Sequence, residues 1–108
     1  MLKKSIFSLL LVILLIFSSS AAAQTVEIEF WHAMSGGRTA AVEKIVDGFN
    51  EEHPDINVTA QFTGSYAETL TQGISAVRSG NPPHIIQVYE VGTQTMLDSE
   101  AIVPVHEI

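Results

Sequence analysis

Hydrophobic residues are spread along this chain in two distinct ways. Residues 6–17 read IFSLLLVILLIF, apolar except for Ser8. Lys3 and Lys4 stand ahead of this run, and SSSAAAQ follows it. A positive start, a short apolar core and small residues with an A-x-A site form the pattern of a secretory signal peptide. A membrane span needs about 20 apolar residues, so this run is short for one. Residues 1–23 are therefore expected to be a signal peptide cleaved after Ala23, which places residues 24–108 in the periplasm if the source is bacterial.

Beyond residue 23 the pattern becomes periodic. Val26-Glu27-Ile28-Glu29-Phe30 alternates apolar and polar positions and predicts a strand. Ser35-Gly36-Gly37 breaks it. From Arg38 to His53, the residues Ala41, Val42, Ile45, Val46 and Phe49 recur at helical spacing and predict one buried stripe. Pro54 ends that helix, because proline disfavours the α conformation of the residue before it. Residues 56–62 (INVTAQF) are rich in β-branched and aromatic side chains and predict a second strand. Ser65 with Glu68 three residues on makes a capping-box pattern. Leu70, Ile74 and Val77 then predict a second buried helical stripe, which stops at Gly80 and Pro82-Pro83. Residues 84–89 read as a third strand and residues 92–98 as a short third helix, with Met96 and Leu97 as its apolar contacts. Residues 101–105 read as extended.

The order β-α-β-α-β-α predicts an α/β fold: a three-stranded parallel sheet in the order 2-1-3, with helices on both faces. Glu27 and Glu29 share one face of the central strand, where burial on both faces is usual. They are expected near the open end of the sheet or under a thin cover. Three strands with an exposed edge make a poor complete domain, so the chain is expected to be the N-terminal part of something longer.

Charge narrows the partners. The chain carries 5 Lys+Arg against 12 Asp+Glu. Beyond residue 23, Arg38, Lys44 and Arg78 oppose all 12 acids, a balance of −9. Nucleic acids and anionic membranes need clustered cations, which are absent. With no cysteine, the chain has neither a disulfide nor a lipid-modified N-terminal cysteine.

In open α/β sheets, ligands sit beyond the carboxyl ends of the strands. That rule selects three loops: residues 31–37, residues 63–66 and residues 89–93. Trp31 fits a ligand-stacking ring, and equally an aromatic packed over the sheet end. His32 fits a structural histidine better than a ligand. The four histidines lack metal-site spacing, so no metal is expected. Glu90 fits an acceptor for polyol hydroxyls, and also a solvated loop acid or a charge at a helix N-terminus. Tyr66 fits a phenol donor to a ligand, or a ring packed beside the helix that it opens. Ser35-Gly36-Gly37 is a weak anion-binding pattern. Nucleotide fingerprints and the G-x-S-x-G elbow are absent, so neither a cofactor nor a catalytic residue is assigned.

The segments FWHAMSGG and FTGSYAETLTQGISAVRSGNPPHIIQVYEVGTQTMLDSEAIVPV resemble the glycerol-3-phosphate-binding branch of the extracellular solute-binding proteins of ABC-type importers. The resemblance spans residues 26–105, and GNPPHIIQVYEVGTQTM (residues 80–96) is its most specific part. It implies two α/β lobes closing on a ligand, with residues 24–108 as part of the N-terminal lobe. It also implies ligand contacts from Tyr66 and Glu90, a partner permease in the membrane, and a monomeric, non-enzymatic protein. A carboxylate would be repelled by a phosphate, which assigns Glu90 to the glycerol hydroxyls. The family's phosphate-holding residues lie in regions beyond Ile108. A neutral-oligosaccharide binder of the same superfamily and a secreted α/β enzyme are the alternative readings.

Overall fold

Alternating side chains commit residues 26–32 to a strand, and the pairing partners of that strand set the fold. The computed structural model describes residues 24–108. The expected signal peptide and its cleavage point fall outside the described residues. The elements in chain order are β1 (Val26–His32), α1 (Gly37–Glu52), β2 (Ile56–Phe62), α2 (Tyr66–Ser79), β3 (Ile85–Ile86) and α3 (Glu90–Asp98), followed by a 3-10 turn at Val105–Glu107. The strands form one parallel sheet in the order β2-β1-β3, as the sequence predicts.

Register explains how a central strand tolerates two glutamates. Glu27 lies opposite Asn57, Glu29 opposite Thr59, and Trp31 between Gln61 and Ile86. These residues share one face of the sheet. Each acid on that face has a donor: the Asn57 side-chain amide donates to Glu27 at 2.6 Å, and the Trp31 indole to Glu29 at 2.5 Å. The opposite face carries Ile28, Phe30 and His32, with the Phe30, His32 and Phe62 rings tilted against one another.

β3 is shorter than expected, two residues in place of six. On either side of it, the His84 and Gln87 backbone N–H groups donate to the Glu29 and Trp31 carbonyls, and two side chains supply the return bonds. His84 Nδ1 accepts from the Glu29 backbone N–H at 3.0 Å, and Gln87 Oε1 accepts from the Ala33 N–H at 3.0 Å. At the other edge, the Asn50 side-chain amide both donates to the Val58 carbonyl and accepts from the Val58 N–H. It occupies one backbone pair of β2 that a further strand would otherwise use.

The helices depart from the predicted stripes. In α1 only Val46 is buried, and Ile45 is 72% exposed. The expected buried stripe through Ala41, Val42, Ile45, Val46 and Phe49 is therefore corrected: Val42 is half-buried, Ala41, Ile45 and Phe49 are exposed, and Phe49 packs against the His53 ring at the end of its own helix. In α2 the buried positions are Thr69, Gly73 and Ala76, one residue before each predicted Leu70, Ile74 and Val77, which are half-buried. Close approach is the reason. A Cβ on Gly73 would collide with Ile86 Cδ1, so small residues form the contact line. The capping box forms as predicted: the Ser65 side chain accepts from the Glu68 N–H, and Glu68 accepts from the Ser65 N–H at 2.7 Å. Gly80 closes the helix in the left-handed conformation at φ 77, which costs glycine little.

Candidate functional site

The carboxyl ends of the parallel strands place two helix starts side by side. Ser65 caps α2, so Tyr66 is its first residue. Tyr89 caps α3, so Glu90 is its first residue. The Tyr66 and Tyr89 rings stack with centroids 5.4 Å apart and planes 17° from parallel. Glu90 thus belongs to a helix, not to a loop; the expected third helix begins two residues earlier than its periodicity indicated. The helix dipole favours a carboxylate at this position.

The acids near this rim differ in what they already bind. Glu68 is engaged by Ser65, whose backbone and side-chain hydrogen bonds hold its carboxyl below the usual range against a weak opposing effect of desolvation. Glu27 and Glu29 are engaged on the sheet face by Asn57 and Trp31. The Glu90 side chain is exposed and accepts no hydrogen bond from the described residues. Among the described residues the Tyr66 hydroxyl is likewise without a hydrogen-bond partner, and Tyr66 is 39% exposed.

Trp31 departs from its expected place in the loop after the first strand. It lies inside β1, half-buried, and its indole reaches one pleat back to Glu29. The two residues that follow are buried beside it. His32 is 1% exposed; its Nδ1 accepts from the Met34 N–H at 3.2 Å, and its carbonyl accepts from the Thr63 N–H at 3.0 Å. Thr63 in turn shares a 2.8 Å hydroxyl contact with Thr69 and gives its carbonyl to the Gln72 amide. His32 therefore carries the loop frame rather than facing solvent.

Tyr89 is the residue that sequence reasoning left without a role. Its signal was present in its neighbours: a second tyrosine next to the candidate acid, at the junction of a strand and a helix. An open groove among the described residues lies elsewhere. It measures about 490 Å³ and is lined by Ile74, Val77, Arg78, Thr95, Met96, Asp98 and Ser99, near the C-terminal ends of α2 and α3. It lies at the far end of both helices from Tyr66 and Glu90.

Residues 35–106 match the family model described as bacterial extracellular solute-binding protein. The chain belongs to that family. Extracellular solute-binding proteins similar to it include the sn-glycerol-3-phosphate-binding periplasmic protein UgpB of Pectobacterium atrosepticum, 46% identical over 87 residues. UgpB of Yersinia pestis is also 46% identical, and UgpB of Escherichia coli K12 is 44% identical, over the same length. Each alignment covers 81% of this chain and 20% of the relative, so the chain spans about a fifth of the length of the curated relatives it matches.

Proposed function

We propose that this chain contributes part of the N-terminal lobe of a periplasmic solute-binding protein that captures sn-glycerol-3-phosphate, or a glycerophosphodiester, for an ABC-type importer. The observation that carries this reading is the pair of neighbouring helix starts, joined by the Tyr66–Tyr89 stack, that present the Tyr66 phenol and the Glu90 carboxylate without hydrogen-bond partners among the described residues, at the strand ends where α/β sheets bind ligands. Glu90 accepts hydrogen bonds from the glycerol hydroxyls; a phosphate beside it would meet repulsion. Tyr66 donates to a hydroxyl or to a phosphate oxygen. Trp31 contributes at most a ring face, because its N–H is occupied by Glu29. The relatives named for glycerol-3-phosphate support this choice of ligand.

The protein acts by reversible retention, delivering ligand to permease subunits after export through a signal peptide in residues 1–23. It works as a monomer, without a cofactor or catalytic group. Titration calorimetry of the full-length mature protein tests the reading. Binding of sn-glycerol-3-phosphate or glycerophosphocholine with a Kd below about 100 μM, or about −5.5 kcal/mol, is expected. Binding of maltose-type sugars in their place would assign the protein to the neutral-sugar branch.

A further inference from the structure

The VYEVG segment contains one candidate ligand contact, Glu90, and four residues without an assigned task. Two of those four form a clamp with α2. Tyr66 and Leu70 are one helical turn apart and share a face of α2. Tyr89 and Gly92 stand three residues apart at the start of α3. The Tyr66 and Tyr89 rings stack at 5.4 Å, a separation at which aromatic pairs attract. One turn below, Leu70 fills the space above Gly92: a Cβ on Gly92 would lie 2.8 Å from Leu70 Cδ2, 3.1 Å from Leu70 Cδ1 and 3.3 Å from Val88 Cγ1. Gly92 is buried, so the approach is enclosed. The Tyr89 carbonyl accepts from the Gly92 N–H at 2.9 Å and from the Thr93 hydroxyl at 3.1 Å, which fixes the first turn of α3 to its cap.

We propose that Tyr89 and Gly92 are positioning residues that set the spacing between the Tyr66 hydroxyl and the Glu90 carboxylate. This assignment rests on the reading that those two groups contact the ligand. The stack holds the two helix starts from above, and the Leu70–Gly92 contact holds them from below. Glu90 directly follows Tyr89, so a rotation of the unclamped α3 would move the carboxylate away from Tyr66. The glycerol end of the ligand would then reach one group or the other, but not both. A displacement of about 1 Å is enough to lose such paired contacts.

The test is a titration of the full-length mature protein with sn-glycerol-3-phosphate, in wild type, Tyr89→Phe, Tyr89→Ala and Gly92→Ala, each with and without Glu90→Gln. Tyr89→Ala and Gly92→Ala are expected to weaken binding by roughly tenfold, and Tyr89→Phe, which keeps the stack, by less than about threefold. In the Glu90→Gln background the loss from Tyr89→Ala is expected to shrink to less than about threefold, because residues that act as a unit are not additive. Equal losses in both backgrounds, or a Tyr89→Phe variant as weak as Tyr89→Ala, would overturn the clamp while leaving the ligand reading intact. If Tyr89→Ala does not fold, Tyr89→Leu takes its place with the same expectations. Failure of the wild type to bind the ligand would overturn the underlying reading, and the clamp with it.

Discussion

The indole N–H of Trp31 donates to the Glu29 carboxylate at 2.5 Å, one pleat back along the central strand of the sheet. The same Glu29 is fixed through its backbone, which donates to His84 Nδ1 and accepts from the His84 N–H at 3.1 Å. One residue thus ties the side chain of the central strand and the edge of β3 together. Trp31 is the only tryptophan of the chain, so its fluorescence reports on this contact. Glu29→Ala is expected to shift the emission maximum to the red and to destabilise the fold by about 1–2 kcal/mol in urea. An unshifted spectrum with unchanged stability would show that the indole does not depend on Glu29.

Gly73 marks where α2 meets the sheet. Its missing side chain leaves room for Ile86 Cδ1, and a methyl group there must displace it. Gly73→Ala is expected to destabilise by about 1–3 kcal/mol through overpacking. Adding Ile86→Val, which removes Cδ1, is expected to recover at least half of that loss. A double variant as unstable as the sum of its two single variants would place the clash elsewhere.

The start of α2 is expected to respond to acid. Its Ser65 hydrogen bonds hold the Glu68 carboxyl below the usual range in the folded chain. A lowered folded value means that the contribution is complete above the unfolded value, about 4.3. It is lost as pH falls through the lower folded value. Glu68→Gln keeps an acceptor but does not titrate in this range. The stability advantage of the wild type over this variant is therefore expected to be larger at pH 6 than at pH 3 in thermal melts. An equal difference at both pH values would remove Glu68 from the acid response.

Much of this architecture was legible in the residue pattern, and the exceptions share a physical cause. β1 and β2 follow from period-2 alternation and β-branched content, and the α2 cap follows from Ser65, Glu68 and Gly80. The strand order follows from the alternation of strands and helices. Burial was less legible. In α2 the contact line runs through Thr69, Gly73 and Ala76 because a close helix approach selects small residues, which hydropathy undervalues. In α1 the predicted amphipathic stripe is covered only at Val46, and Ile45 stands exposed. β3 is shorter than its residue pattern predicts because His84 and Gln87 donate to β1 through their backbone but accept through their side chains, which a residue pattern does not distinguish from full backbone pairing. Tyr66 and Glu90 were visible as strand-end residues. Their relation through Tyr89 was not, because stacking joins positions 23 residues apart.

The buried hydroxyl pair beneath the rim gives a further check. Thr63 and Thr69 share a 2.8 Å contact in the interior, and Thr63 also donates to the His32 carbonyl at 3.3 Å. Thr69→Val keeps the shape and leaves Thr63 with one partner fewer. It is expected to cost about 1–2 kcal/mol, while Thr69→Ser retains the contact and costs less of the hydrogen-bond term. Urea unfolding of the two variants separates the hydroxyl from the methyl. A Thr69→Val variant as stable as the wild type would mean that the pair contributes nothing net.

The claim on which the functional reading depends is that Glu90 receives the glycerol hydroxyls. The most direct measurement is calorimetric titration of sn-glycerol-3-phosphate into the full-length mature wild type and its Glu90→Gln variant. The account predicts a wild-type Kd below about 100 μM and a loss of roughly tenfold or more in the variant, because a hydroxyl donor loses a charged acceptor. Tight binding of equal strength in both proteins would contradict it.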